Sequence, residues 1–156
     1  MTTYADRQPA QHLDGTSIWR DADDARGEAE TAALLARAWG CSIKQFAPLS
    51  PLDYYAVRQE RIVGYLELKT RSHSTTDYPT VFLSLRKWLG LTLAQVASGV
   101  PGLFVARFTD AIRWVPVAEV DARAVRFAGT RVAHARGRGV EPLIDVPLAI
   151  MRELDT

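Results

Sequence analysis

The fold is decided by residues 62–69, which read Ile-Val-Gly-Tyr-Leu-Glu-Leu-Lys. Branched and aromatic side chains are frequent in this stretch, which is typical of a β-strand. Side chains alternate between the two faces of a strand, so Leu66 and Leu68 share one face and Glu67 and Lys69 share the other. The face with Leu66 and Leu68 is the predicted core face. The pattern therefore predicts a carboxylate and an amine held side by side on a largely apolar strand.

The segment before this strand predicts its partner. Leu52 to Val57 is rich in aromatic and branched residues, and Arg58 to Arg61 form a short polar connection, so the two strands are expected to form a β-hairpin. The hairpin lets Asp53 lie across from Glu67. Two carboxylates and one amine suit phosphodiester hydrolysis, because Mg²⁺ prefers carboxylate oxygens and a lysine stabilises charge in the transition state.

Patterns on either side of the hairpin indicate one mixed domain. Residues 21–39 predict a helix with acidic capping residues, and a second helix is expected from Ser84 to Gly99. Residues 1–20 are polar and aperiodic, which predicts a flexible tail before a single domain over residues 21–156. Further strands are expected at Ser42–Phe46, Val81–Leu83, Leu103–Phe108, Ala111–Val117 and Pro142–Pro147.

The composition excludes several classes of protein. The chain has 156 residues, of which 47% are apolar, which is enough for one ordinary core and argues against disorder. No apolar run approaches the ~20 residues that a membrane span needs, and the N-terminus has no signal-peptide pattern. One cysteine and three scattered histidines give neither a disulfide nor a zinc-ligand spacing. We expect a cytoplasmic protein, from a cell or from a virus growing in one.

Asp53, followed by Glu67-Leu68-Lys69, resembles the signature of the PD-(D/E)XK nuclease superfamily. In that superfamily the first Asp stands on the second strand and the Glu-x-Lys on the third. The usual Pro-Asp pair is loosened here, because Pro51 precedes Asp53 by two residues. The order of helices and hairpins extends the resemblance over roughly residues 26–117, and small resolvase-like and phage-encoded members have about this length. The resemblance implies an α/β, restriction-endonuclease-like three-layer domain with a central mixed sheet flanked by helices.

The resemblance also implies an activity and its site. The expected protein is a Mg²⁺-dependent deoxyribonuclease, and one form of this activity is structure-specific endonuclease cleavage. Mn²⁺ is expected to substitute for Mg²⁺. An acid from the first helix often completes such sites, and family spacing favours Glu30 over Glu28, although the alanine-rich helix does not reveal its buried face. The resemblance thus assigns catalysis to Asp53, Glu67, Lys69 and Glu30, and metal binding to Asp53, Glu67, Glu30 and the carbonyl of Leu68.

DNA is the expected partner, and three parts of the chain are candidates to contact its phosphates. Residues 122–140 contain five arginines and no acid in a chain of net charge +1. Such a run meets phosphate or forms a solvated loop, and the sequence leaves both open. Arg71 follows the motif directly, and Lys87 lies in the first turn of the second helix, where a bound phosphate or solvent would suit it. The arginines of the run are Arg123, Arg126, Arg131, Arg136 and Arg138.

Other interpretations stay open. One is a catalytically inactive nuclease-fold module that binds DNA or a protein, and another is an unrelated α/β domain in which Glu67 and Lys69 are an exposed pair. His73 and Tyr78 lie in a polar loop after the motif, where proton transfer or base stacking competes with simple packing. Small resolvase-like members commonly act as dimers, because two symmetric cuts need two sites, so a homodimer is a further expectation.

Overall fold

The structure is a computed structural model that describes residues 8–11, 17–20, 22–123, 125–129 and 140–155. This part of the chain contains two α-helices, two short 3₁₀ helices and eleven strands. The helices are α1 (Ala22–Trp39), α2 (Leu85–Ser98) and the 3₁₀ turns Val117–Glu119 and Leu148–Ile150. The strands are β1 (Gln8–Gln11), β2 (Ser17–Arg20), β3 (Ser42–Gln45), β4 (Tyr54–Arg58), β5 (Arg61–Thr70), β6 (Thr80–Ser84), β7 (Gly102–Arg107), β8 (Ile112–Pro116), β9 (Val125–Gly129), β10 (Val140–Pro147) and β11 (Arg152–Glu153).

A six-stranded mixed sheet forms the centre, in the order β11-β8-β7-β5-β4-β3. Its two middle strands, β5 and β7, run parallel, and the other neighbouring pairs are antiparallel. The connection from β5 to β7 passes through β6 and α2, as a parallel pair requires. The strand that carries the Glu-x-Lys motif, β5, is therefore interior to the sheet.

Helix α1 covers one face of this sheet. Leu35 of α1 is fully buried against Leu66 and Leu68 of β5 and Val105 of β7, all at most 1% exposed. The predicted core face of β5 is therefore the face that packs on α1. Tyr54 at the start of β4 belongs to the same apolar cluster, which fixes the beginning of that strand.

The opposite face of the sheet packs against α2 and a second sheet of three strands, in the order β6-β10-β9. Phe104 and Ala106 of β7 are buried there together with Leu91 of α2 and Ile144 of β10. Apolar layers thus lie on both sides of the central strands. This arrangement confirms the expected α/β domain with a central mixed sheet flanked by helices.

The structure adds elements that the sequence patterns did not predict. β1 and β2 pair in the segment that was expected to be a tail, and β11 closes one edge of the central sheet. Part of the arginine-rich run forms β9, which pairs with β10; Val125 packs onto the core and Arg126 is exposed. Within the described residues, no helix is both long and apolar enough to cross a membrane.

The contact between α2 and β7 depends on Gly102. A Cβ atom at this position would lie 3.0 Å from the Cβ of Leu91, 3.0 Å from Val117 and 3.1 Å from the backbone oxygen of Leu91. We expect Gly102→Ala to lower the free energy of unfolding by about 1–3 kcal/mol, because helix backbone has to move to accept the methyl group. Urea denaturation measures this change.

Gly64 on β5 provides the matched control, because it is also a buried strand glycine. A Cβ atom there would meet its nearest neighbours at 3.8–3.9 Å, which is ordinary contact. Gly64→Ala is therefore expected to leave stability unchanged or to raise it slightly. Equal losses in the two variants would contradict the close approach of α2.

Candidate active site

The hairpin of β4 and β5 brings the two acids of the motif together. Tyr54 pairs with Leu66 in the antiparallel register, so Asp53 lies one step beyond, opposite Glu67. Gln59 and Glu60 connect the strands with positive φ angles of 49° and 62°, the conformation that fits a two-residue hairpin turn. In the parallel register Glu67 is the neighbour of Phe104, which places its side chain on the face covered by α2.

Two lysines complete a compact cluster with these acids. The Nζ atom of Lys87, from the first turn of α2, lies 2.6 Å from Asp53 Oδ1 and 3.3 Å from Glu67 Oε2. Lys69 Nζ lies 3.4 Å from the other oxygen of Glu67, so Glu67 and Lys69 share one face of β5 as strand alternation predicts. Asp53 lies near enough to Glu67 that, after the effects of burial and of Lys69, it also raises the pKa of the Glu67 carboxyl group.

Burial dominates the electrostatics of this cluster. The Glu67 side chain is 2% exposed, and burial raises the pKa of its carboxyl group to about 8, with Lys69 acting in the opposite direction. The Glu67 carboxylate in turn raises the pKa of Lys69, which keeps that amine cationic. Glu67 Oε1 has no hydrogen-bond partner although it is buried. This oxygen faces the Lys69 ammonium at 3.4 Å without a hydrogen bond, so it keeps capacity to accept a further ligand such as a metal ion.

The helical acid that approaches this cluster is Glu28, whereas sequence spacing favoured Glu30. Glu28 is 6% exposed and accepts a hydrogen bond of 2.7 Å from the hydroxyl of Tyr54. After the larger effect of Glu67, the charge of Glu28 also raises the pKa of Lys69. Glu30 has a 55% exposed side chain and forms an ion pair of 2.8 Å with Arg107. The reason is the helix face: Glu28 shares the buried side of α1 with Leu35.

Lys87 lies inside the cluster, although its predicted role was phosphate contact. Its side chain is 15% exposed and is held by the two acids. Sequence spacing gave no signal for this position, because 34 residues separate Lys87 from Asp53. An early lysine in a helix that has no acid in its first turn was the one available indication that a negative group lies nearby.

The other predicted DNA contacts lie outside the cluster. Arg71 stacks over the Phe82 ring at 4.2 Å and donates a hydrogen bond to the Phe82 backbone oxygen. Arg123 has a 91% exposed side chain paired with Asp121, and Arg126 pairs with Asp145. Three members of the arginine run lie outside the described residues, namely Arg131, Arg136 and Arg138.

The polar loop after β5 is organised by its own contacts. The ring of His73 packs edge-on against Tyr78 and Phe108, and its Nδ1 lies 3.1 Å from the backbone oxygen of Ser74. These contacts favour the packing interpretation of His73. Tyr78 is 58% exposed, so its outer surface is open to solvent.

The donor set fits a hard divalent cation. Asp53 and Glu67 supply carboxylate oxygens, and one of these, Glu67 Oε1, is buried without a hydrogen-bond partner. Within the described ranges, no group of three or more His, Cys, Asp or Glu side chains lies close enough to hold a metal ion. A metal would therefore need the backbone oxygen of Leu68, water or substrate as further ligands, which is usual for Mg²⁺.

Comparisons with known proteins identify the family and the fold of the chain. A family model described as "Phage putative PDDEXK endonuclease" matches residues 18–154. Among solved structures, the fold is similar to that of Hjc, a Holliday junction resolvase from the archaeal hyperthermophile Archaeoglobus fulgidus, with a TM-score of 0.55 and 16% sequence identity. That match covers 85% of this chain and 92% of the resolvase chain, and it confirms the restriction-endonuclease-like fold. No curated protein matches the chain significantly. The chain belongs to the PD-(D/E)XK endonuclease family, within the nuclease superfamily that its motif resembles.

Proposed function

We propose that this nuclease is a Mg²⁺-dependent deoxyribonuclease whose active site is the cluster of Asp53, Glu67 and Lys69. The observation that carries the proposal is the convergence of two carboxyl groups beside a cationic lysine, with a buried Glu67 oxygen that lacks a hydrogen-bond partner. Stability alone would not require this buried cluster of charged side chains, because apolar side chains of similar volume are often as stable or more stable in a buried position.

Asp53, Glu67 and the backbone oxygen of Leu68 would hold the metal. Bound there, Mg²⁺ (or Mn²⁺ in its place) would neutralise phosphate charge and lower the pKa of a coordinated water. Glu28 is the better helical candidate than Glu30 for an outer ligand or a partner of bound water, since it is buried near Lys69. Glu30 is engaged with Arg107 at 2.8 Å.

The ammonium of Lys69 would orient the attacking water and stabilise the charge that develops on the phosphate. Its 43% exposed side chain leaves it accessible to substrate, while the neighbouring carboxylates keep it protonated. Arg71 and the arginines between residues 123 and 138 are the proposed contacts to more distant phosphates. Their attraction to DNA would weaken as salt concentration rises.

Branched DNA is the first substrate to test. The similar fold of a Holliday junction resolvase motivates this choice, as does the size of the domain. Symmetric cutting of a junction would require two copies of the chain, so we include a homodimer in the proposal. The competing function, an inactive module that binds DNA or protein, is favoured by the small number of acidic side chains at the site.

Cleavage assays separate these two functions. Labelled duplex, single-stranded, four-way-junction and RNA substrates are incubated with the protein in Mg²⁺ and in EDTA. We expect Mg²⁺-dependent cleavage of DNA, loss of cleavage in Asp53→Asn, and a rate about 10²-fold lower in Lys69→Met, on the scale of a lost electrostatic stabiliser. Lys44→Met is the control, because Lys44 lies exposed on β3. Cleavage that survives Asp53→Asn, or DNA binding without any cleavage, would reject the proposed enzyme.

The two helical acids make a second, matched comparison. Glu28→Gln is expected to weaken Mn²⁺ binding and slow cleavage by about 10- to 100-fold, the range for groups that support metal ligands. Glu30→Gln is expected to stay near the parent, because Glu30 faces solvent and Arg107. Titration with Mn²⁺ and single-turnover cleavage measure both effects. The opposite ranking would return the role to Glu30.

The raised pKa of Glu67 predicts how the metal-free protein responds to pH. Between the ordinary pKa of a glutamate, 4.5, and about 8, the folded protein keeps a proton that the unfolded chain has lost. The contribution of Glu67 to stability therefore falls as pH rises through this window. Urea denaturation in EDTA from pH 5 to 8.5 should show Glu67→Gln gaining stability relative to the parent as pH rises. A constant difference between the two proteins would show that burial does not raise this pKa.

A further inference from the structure

Lys87 bridges the two acids at the centre of the site. Its Nζ lies 2.6 Å from Asp53 Oδ1 and 3.3 Å from Glu67 Oε2, and its side chain is only 15% exposed. An ammonium group and a hard metal ion seek the same carboxylate oxygens. Both cannot occupy the space between these oxygens, because each would repel the other at contact distance.

The helix itself gives no reason for a cation at this position. Lys87 lies in the first turn of α2, near the positive end of the helix dipole, and that turn contains no acid. Ser84, which precedes the helix, forms no capping hydrogen bond with its side chain. The place of the Lys87 ammonium is therefore set by Asp53 and Glu67, which belong to other elements of the fold.

We propose that Lys87 is the resident counter-ion of the metal-free site, and that its ammonium leaves the space between Asp53 and Glu67 when a divalent metal binds. The inference rests on the proposed metal-dependent function, and it adds that the Lys87 ammonium competes with the metal ion for the two acids. Metal affinity is then lower than the two carboxylates alone would give, because each binding event must displace a charge-assisted hydrogen bond. The displaced lysine remains at the N-terminus of α2, where backbone N–H groups and the helix dipole attract a phosphate.

Lys87→Met tests the competition, since methionine keeps the length of the side chain and removes its charge. We expect the Kd for Mn²⁺ to fall by about 10- to 100-fold, the size of effect that groups contacting metal ligands have. In EDTA the melting temperature should fall below that of the parent, because Asp53 loses this counter-ion. In saturating Mn²⁺ the difference should close, because the metal replaces the ammonium.

Two further variants control this experiment. Lys87→Arg retains the charge and is expected to bind Mn²⁺ no more tightly than the parent. Lys44→Met removes an exposed lysine from β3 and should change neither the Kd nor the melting temperature. If Lys87→Met does not fold in EDTA, it should fold when Mn²⁺ is added.

The outcomes separate this inference from the proposed function. Mn²⁺ binding to the parent with equal or weaker binding to Lys87→Met would overturn the competition and leave the nuclease proposal in place. Failure of Lys87→Met to fold with or without Mn²⁺ would also overturn it, because metal would then not replace the ammonium. Absence of Mn²⁺ binding in both proteins would reject the metal site and the inference together. Binding to Lys87→Met alone would support competition in its strongest form.

Discussion

The burial of the Glu67 carboxyl group within the central sheet is the constraint on which the rest of the site depends. A carboxylate that leaves water without compensation is strongly destabilising, and two features of the site reduce this cost. Burial raises the pKa of Glu67 to about 8, and two lysine amines lie within 3.4 Å of its oxygens. Neither feature gives Glu67 Oε1 a hydrogen bond. The result is a position whose chemistry favours an added cation.

The scaffold holds this carboxyl group by burying both faces of its strand. Leu66 and Leu68 pack under α1, and Glu67 between them points toward α2. Helix α2 packs closely on β7 at Gly102, and a Cβ atom at its Gly90 would lie 3.5 Å from the backbone oxygen of Pro51, so the helix also adjoins the segment that carries Asp53. The acids and lysines thus come from three elements that pack against each other, so the geometry of the site follows from the packing of the core.

Strand alternation was sufficient to predict the face of Glu67 and Lys69, because a period of two leaves no choice once Leu66 and Leu68 are buried. The face of α1 could not be predicted in this way. Its alanines make no strong apolar stripe, so the burial of Glu28 depends on contacts with Tyr54 across the chain. The place of Lys87 depends likewise on tertiary packing. The mixed domain was predictable from its local patterns, whereas β9 was not, because it lies within an arginine-rich run with no clear alternation of apolar and polar residues.

The places where the chain departs from ordinary local preferences coincide with the proposed active site. A buried glutamate in a central strand and a lysine in the first turn of a helix are both unfavourable by themselves, and here each lies in contact with the other at 3.3 Å. Proteins commonly break such local rules at functional sites and compensate for them elsewhere in the fold. The contact of Lys87 with Glu67 is the observation behind the proposal that two cations exchange at this site, one supplied by the chain and one by solution. Glu67 Oε1 meets the Lys69 ammonium at 3.4 Å but accepts no hydrogen bond, so the described contacts leave part of its capacity as an acceptor unused.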